Sequence, residues 1–170
     1  MAAGGLAACA SHPAEQGAGT YRAANLRPYD VAGRRYTPQV DPHYDRKGMA
    51  SWYSYPAGQR RTATGEVFDP GRMTAAHRTL PLPCIVEVTN LENGRKVKVR
   101  VNDRGPFVDG RIIDLSRAAA DRLGVTRAGL AKVRVKFVGP ARIADSGEIR
   151  LAELTPTEHG GLQPAEAELF

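Results

Sequence analysis

Val99-Arg100-Val101-Asn102-Asp103-Arg104-Gly105-Pro106-Phe107 is the stretch on which the reading of this chain turns. Valine alternating with polar residues marks a β-strand with one buried face. The strand ends in a carboxylate, and Gly105-Pro106 forces a turn directly after it. Asp103 is thereby held at a barrel or sheet rim, where a loop residue can meet a ligand. An acid on a rigid strand end, aimed at a cleft, is what glycoside chemistry needs. By itself such an aspartate more often just accepts a hydrogen bond from the turn backbone. Two further segments shift that balance.

Working outward, strand signals recur. Residues 49–53 are short and aromatic, and residues 84–89 follow the entry Pro81-Leu82-Pro83. Asn93-Gly94 predicts a two-residue hairpin turn of the primed type. The chain returns over residues 95–101, with Val97, Val99 and Val101 on one face and Lys96, Lys98 and Arg100 on the other. Residues 131–138 repeat the scheme, Val133, Val135 and Phe137 opposing Lys132, Arg134 and Lys136. Interleaved bases could form a nucleic-acid face. More often they are a solvated face that also discourages edge pairing. One helix stands out after a short strand at residues 111–115. Ser116 can cap it, Ala118, Ala119, Ala120 and Leu123 fill it, and Gly124 ends it. Many short strands with one helix predict a small closed β-barrel, which leaves no open edges.

The 170 residues suit one domain with extensions. The net charge of +6 is uneven. Residues 145–170 hold six acids and one base, which leaves a body of net charge +11 over residues 1–144. A basic body suits an anionic partner, either nucleic acid or the carboxylate-bearing peptides of a bacterial wall. No apolar run reaches the roughly 18 residues of a membrane-spanning helix. Of the two cysteines, Cys84 lies in a Val/Ile-rich strand and reads as a small buried apolar residue. Cys9, in Leu6-Ala7-Ala8-Cys9, resembles a lipobox cysteine, the site of diacylglycerol attachment. The basic and apolar regions of a secretory signal do not precede it. This predicts a true start upstream of Met1. His12, His43, His77 and His159 show no metal-ligand spacing, so no metal is expected. No Gly-x-Ser-x-Gly and no Walker loop occurs.

Three ordered segments then line up. They are Ala50-Ser51-Trp52-Tyr53 with Thr64-Gly65-Glu66-Val67-Phe68-Asp69, Met73-Thr74-Ala75-Ala76-His77, and Val101-Asn102-Asp103-Arg104-Gly105-Pro106 with Ile113-Asp114-Leu115-Ser116. Together they resemble the rare lipoprotein A family, the septal-ring lytic transglycosylases. The resemblance covers residues 29–139. It implies a mainly β fold, a six-stranded double-psi β-barrel with one or two short helices. It implies four regions: a signal remnant, lipobox and tether at 1–20, an extended strap at 21–46, the barrel at 47–140, and a flexible acidic tail at 141–170 without a SPOR domain. Ser54 stands where the family usually has glycine, and residues 55–61 depart from its pattern, which bears on glycan preference.

The implied activity is cleavage of the MurNAc-GlcNAc β-1,4 bond with formation of 1,6-anhydroMurNAc, without water and on peptide-stripped strands. Because the nucleophile is the sugar's own C6 hydroxyl, one carboxyl can serve as acid and then base. That acid must be protonated near neutrality. The resemblance places it at Asp103, with Glu66 and His77 as the other catalytic positions. Glu66 could raise the Asp103 pKa by repulsion or bind a sugar hydroxyl; otherwise it is a plain loop glutamate. His77 could orient a carboxylate or a hydroxyl, or be structural. Trp52, Tyr53 and Arg104 are assigned to the sugar, with packing as the main role of Trp52. Arg104 is expected to point away from Asp103, toward Asp114 or a backbone carbonyl. Asp114 reads as a brace for the helix. The expected partner is the peptidoglycan glycan strand, with no nucleic acid, no cofactor, and an outer-membrane lipid anchor on Cys9 in the periplasm. The alternative function is a non-catalytic, expansin-like peptidoglycan-binding module.

Overall fold

The computed structural model describes residues 21, 23–53, 55 and 60–142. Six strands close into a barrel: β3 (Asp45–Trp52), β4 (Thr74–His77), β5 (Cys84–Asn90), β6 (Lys96–Asp103), β7 (Arg111–Leu115) and β8 (Leu130–Pro140), in the order β3-β7-β4-β6-β5-β8. Two pairings are parallel, β3 with β7 and β4 with β6, and the others are antiparallel. The barrel is thus mixed, as the double-psi architecture requires, and one α-helix, α1 (Arg117–Leu123), packs beside it.

The valine alternation does what its period dictates. Val97, Val99 and Val101 on β6, Val86 and Val88 on β5, and Val133 and Val135 on β8 fill the interior with Ile113 and Leu115. Lys132, Arg134 and Lys136 face water. Arg100 departs from that scheme: it is on the outward face but buried, because Glu66 meets it there.

The segment read as an extended strap, 21–46, contains a 3₁₀ turn at Ala23–Leu26 and an antiparallel hairpin of β1 (Tyr29–Val31) with β2 (Arg34–Tyr36). Its aromatic rings pack on the loop after β6, with Tyr36 and Phe107 centroids 5.5 Å apart.

The turn at Asn93-Gly94 is not the two-residue primed type. Asn90 and Arg95 close a four-residue loop, with Asn90 N–H donating to Arg95 O and Gly94 N–H to Asn90 O. Asn93 does not have positive φ, which a type I′ turn demands. The asparagines are recruited elsewhere: the side-chain amides of Asn90 and Asn93 both donate to Leu123 O, satisfying the carbonyl end of α1.

Ser116 caps α1 as expected, accepting from Ala119 N–H, and Gly124 ends it in the left-handed region. The same hydroxyl donates to Arg72 O and accepts from Thr74 N–H, so the cap also fastens the entry to β4. Ser116→Ala should therefore lower the unfolding free energy by about 1–2 kcal/mol, the upper range for a lost cap, as measured by urea denaturation.

Candidate active site

Asp103 stands at the end of β6, where β4 gives it Ala76 as its register partner. Its Oδ1 accepts from Ala63 N–H at 2.9 Å and from its neighbour Arg104 N–H at 2.8 Å. Its other oxygen makes no hydrogen bond among the described residues. The residue is only 8% exposed. Burial raises its pKa above the ordinary carboxyl value, over the opposing pull of those two N–H donors and of the Arg60 and Arg104 charges. One oxygen is fixed and the other is free to carry and exchange a proton. Gly105, at φ +131°, turns the chain away in a conformation that a side chain would strain.

The loop before β4 is sewn to this strand end. Thr64 N–H donates to Asn102 O, beside the Ala63–Asp103 bond, and Thr62 N–H to Glu66 O closes the loop on itself. This brings Glu66 to the same end of β6 as Asp103. Its carboxylate is already engaged, however. Arg100 grips it through Nε at 3.2 Å and Nη2 at 2.6 Å, Asn102 Nδ2 donates at 2.8 Å, and the Thr64 hydroxyl at 3.1 Å. Burial would raise the Glu66 pKa, but these donors and the Arg100 charge hold it below the ordinary range. Glu66 is not among the charges that raise Asp103; burial does that. Arg100, read from sequence as an outward strand residue, neutralises Glu66, and Asn102, for which the sequence reading gave no role, donates to it. Their two-residue spacing on β6 was the available signal.

His77 is buried at the end of β4. Its Nδ1 accepts from the backbone N–H groups of Thr79 and Leu80, so its proton sits on Nε2 and is shared with the Tyr44 hydroxyl at 2.8 Å. Both nitrogens are therefore occupied by the protein. Burial, assisted by the Arg104 and Arg78 charges, pushes the imidazole pKa down to about 3.

Arg104 points away from Asp103, to backbone carbonyls. Its Nη1 donates to Leu80 O at 2.6 Å and, at 3.3 Å, to His77 O and Arg78 O; its Nη2 donates to Asn25 O at 2.6 Å. The guanidinium thus ties the 3₁₀ turn and the segment after β4 to the site. Asp114 is ion-paired to Arg111 at 3.3 Å.

Trp52 is half-buried against the core, with the Arg117 guanidinium 5.8 Å over its ring. The Tyr53 ring packs on Phe68 at 4.9 Å. Its hydroxyl is buried without a hydrogen bond, as are Thr74 Oγ1 and Asp114 Oδ1. Of this set, sequence reasoning singles out Tyr53, for the sugar, and Asp114, as a brace, and misses Thr74. Cys84 is a buried free thiol, pushed up to about 12 by burial. Cys9, Ser54, residues 56–59 and the tail from 143 onward lie outside the described residues. Among the described residues no group of three or more His, Cys, Asp or Glu side chains could hold a metal ion, and no helix is long and apolar enough to cross a membrane.

A closed mixed six-stranded barrel with a buried aspartate at its rim defines a double-psi β-barrel protein. The profile of the lytic transglycolase family matches residues 45–135, and the chain belongs to that family. The chain is 52% identical over 116 residues to "Endolytic peptidoglycan transglycosylase RlpA" of Pseudomonas aeruginosa, which covers 68% of this chain and 34% of that protein. It is 48% identical over 123 residues to the protein of the same name in Neisseria meningitidis, covering 72% of this chain and 52% of that one. The chain spans between a third and about half of the length of these curated relatives.

Two outcomes follow from this geometry. His77 is neutral in the fold and titrates near 6.5 when unfolded, so the unfolded chain binds more protons between those two values. Stability should fall as pH drops from 6.5 toward 3, at up to about 1.4 kcal/mol per unit from this group. Urea titrations across that window should show the loss, and His77→Gln should flatten it. Glu66→Gln should cost about 3 kcal/mol, because Arg100 loses its anion. It should leave the Asp103 titration raised, as read by carboxyl ¹³C NMR. A return of Asp103 to the ordinary carboxyl range would show that Glu66, not burial, sets it.

Proposed function

We propose that this protein is a peptidoglycan lytic transglycosylase that cleaves the MurNAc-GlcNAc β-1,4 bond, with Asp103 as its single acid and base. The observation that carries the reading is the Asp103 carboxyl itself, buried, raised in pKa, and held by one oxygen with the other free. A retaining or inverting hydrolase needs two carboxylates because a nucleophile or a water must be handled on the far face. An internal nucleophile removes that need. The Asp103 proton goes to the glycosidic oxygen as the bond from C1 breaks. The muramic C6 oxygen bonds to C1, and the carboxylate left behind accepts the C6 hydroxyl proton. The products are a free 4-hydroxyl end and a 1,6-anhydro ring, no water is consumed, and Asp103 returns to its starting form.

Glu66 and His77 fit this scheme as parts of the frame. The engaged Glu66 pins Arg100, Asn102 and Thr64 around the end of β6, and His77 organises the backbone after β4. The basic body suits wall polymers bearing carboxylates. Peptide-stripped glycan is the proposed substrate form. A cell-envelope location follows from such a substrate, and Cys9 is the proposed lipid attachment point.

Digestion of purified, peptide-stripped sacculi, followed by mass spectrometry, tests the reading. Wild-type protein should release 1,6-anhydro products, and Asp103→Asn should release at least about 100-fold less, the scale of a lost general acid. Sacculus pull-down with no soluble product would instead favour the expansin-like binding module. The amide oxygen of that variant can still accept both N–H bonds, and Asp103 stabilises the fold less as pH rises from its unfolded value, near 3.8, through its raised folded one. Asp103→Asn should therefore melt at a temperature equal to or higher than wild type at pH 7. A marked drop in melting temperature would make Asp103 a structural residue.

A further inference from the structure

Among the described residues only two aromatic rings are exposed, Tyr55 and Phe107, each at 41%. The Arg60 guanidinium sits 4.8 Å over the Tyr55 ring, so one of its faces is taken. Phe107, on the loop after β6, has neither a cation over it nor a ring stacked on it among the described residues: Tyr36 and Tyr29 meet it at 55° and 76°. Those two tyrosines are stacked on each other at 5.5 Å, and the Tyr29 hydroxyl donates to Arg78 O at 2.8 Å. The hairpin of β1 and β2 thus props Phe107 in place and leaves much of the ring in water. Val108, also exposed, continues the apolar surface. The position of the ring relative to Asp103 follows from Gly105. A side-chain carbon at 105 would lie 3.9 Å from the Ala76 methyl and 3.9 Å from Phe107 Cε2. The ring edge is therefore within twice that distance of the methyl, and Ala76 is the register partner of Asp103. A single exposed apolar residue is ordinary, but an exposed ring on a rigid aromatic support beside a buried acid is how ligand sites are built.

We propose that Phe107 is a substrate-positioning residue, the ring on which a sugar of the glycan strand stacks next to the unit whose bond Asp103 protonates. This rests on the transglycosylase reading of the same site and adds to it a side chain that touches substrate. A β-1,4-linked pyranose directs its hydroxyls outward around the ring and its C–H groups to the two faces. The face of an aromatic ring carries partial negative charge and attracts those hydrogens while removing apolar area from water. Phenylalanine suits this task because it adds no polar group that must be satisfied. A ring that is already immobile fixes the stacked sugar, and with it the register of the strand over Asp103, at little entropic cost. The two rings that sequence assigns to the sugar are used otherwise: Trp52 has the Arg117 guanidinium 5.8 Å over it, and Tyr53 packs on Phe68. A nucleobase could stack on the same ring. Its phosphates, however, would find the adjacent guanidinium of Arg104 already committed to four backbone carbonyls.

The test is binding, measured apart from cleavage. A peptide-stripped GlcNAc-MurNAc tetrasaccharide is titrated by NMR into the full chain carrying Asp103→Asn, with Phe107 intact or changed to Leu, Tyr or Trp. With Phe107 intact, C–H proton signals of one sugar should move upfield under the ring current. Phe107→Leu keeps apolar contact with Tyr29 and Tyr36, so the melting temperature should stay near that of the parent. Its affinity should fall about threefold to tenfold, and the upfield shifts should vanish. Phe107→Tyr and Phe107→Trp should retain both. A packing role predicts instead that leucine binds as well as phenylalanine, or that all three substitutions lose binding together, and either result overturns the proposal. So does the absence of upfield shifts with Phe107 intact, a measurement that holds even if the leucine variant does not fold. An oligonucleotide that perturbs the Phe107 ring signals where the tetrasaccharide leaves them unmoved would overturn it as well, and give the ring to nucleobases. Digestion of sacculi separates this inference from the reading beneath it. Stacking without anhydro product from wild type would remove the transglycosylase and leave a sugar-binding ring. Anhydro product released equally well by Phe107→Leu would do the reverse.

Discussion

The four-residue strand β4 is held on both sides, parallel to β6 and antiparallel to β7. All four of its residues are buried. That double pairing is the constraint on which the site depends. It sets Asp103 and Asp114, from two separate strands, on either side of Ala76, and it turns His77 into a bracket for the chain that follows. Barrel closure then prevents β6 and β7 from sliding relative to each other, since each is also paired on its far edge.

Charge is handled unequally around this frame. Glu66 and Arg100 neutralise each other in a pair with further donors to the carboxylate. Arg104 has its guanidinium directed to four backbone carbonyls, so it steadies the site without a full ion pair to Asp103. Asp103 is buried with donors on only one oxygen. Its desolvation is thus incompletely compensated, and the neutral acid gains relative to the anion.

The strands, the core valines and the capped helix were legible because each is a local pattern. A period of two, a serine before an alanine run and a glycine after it say where side chains go without reference to distant residues. The position of Asp103, a strand end before Gly105-Pro106, was legible for the same reason, while its role as the acid came from the family resemblance. The Asn93-Gly94 turn departs from its local pattern because the amides of Asn90 and Asn93 cap the carbonyl end of a helix some thirty residues away. Arg100 has the pattern of a solvated base, and only the fold brings Glu66, 34 residues earlier, onto it.

From the amino acids alone came the barrel class, its inward faces and the rim position of Asp103, since alternation and turn chemistry act between near neighbours; the ordered motifs of the family resemblance made that aspartate the candidate acid. The tertiary structure decided which charges are paired and which oxygen of Asp103 takes the backbone donors. Those outcomes depend on burial and on partners far apart along the chain. Electrostatics at a site is set by distance in space, and closure of the barrel is what converts sequence separation into contact.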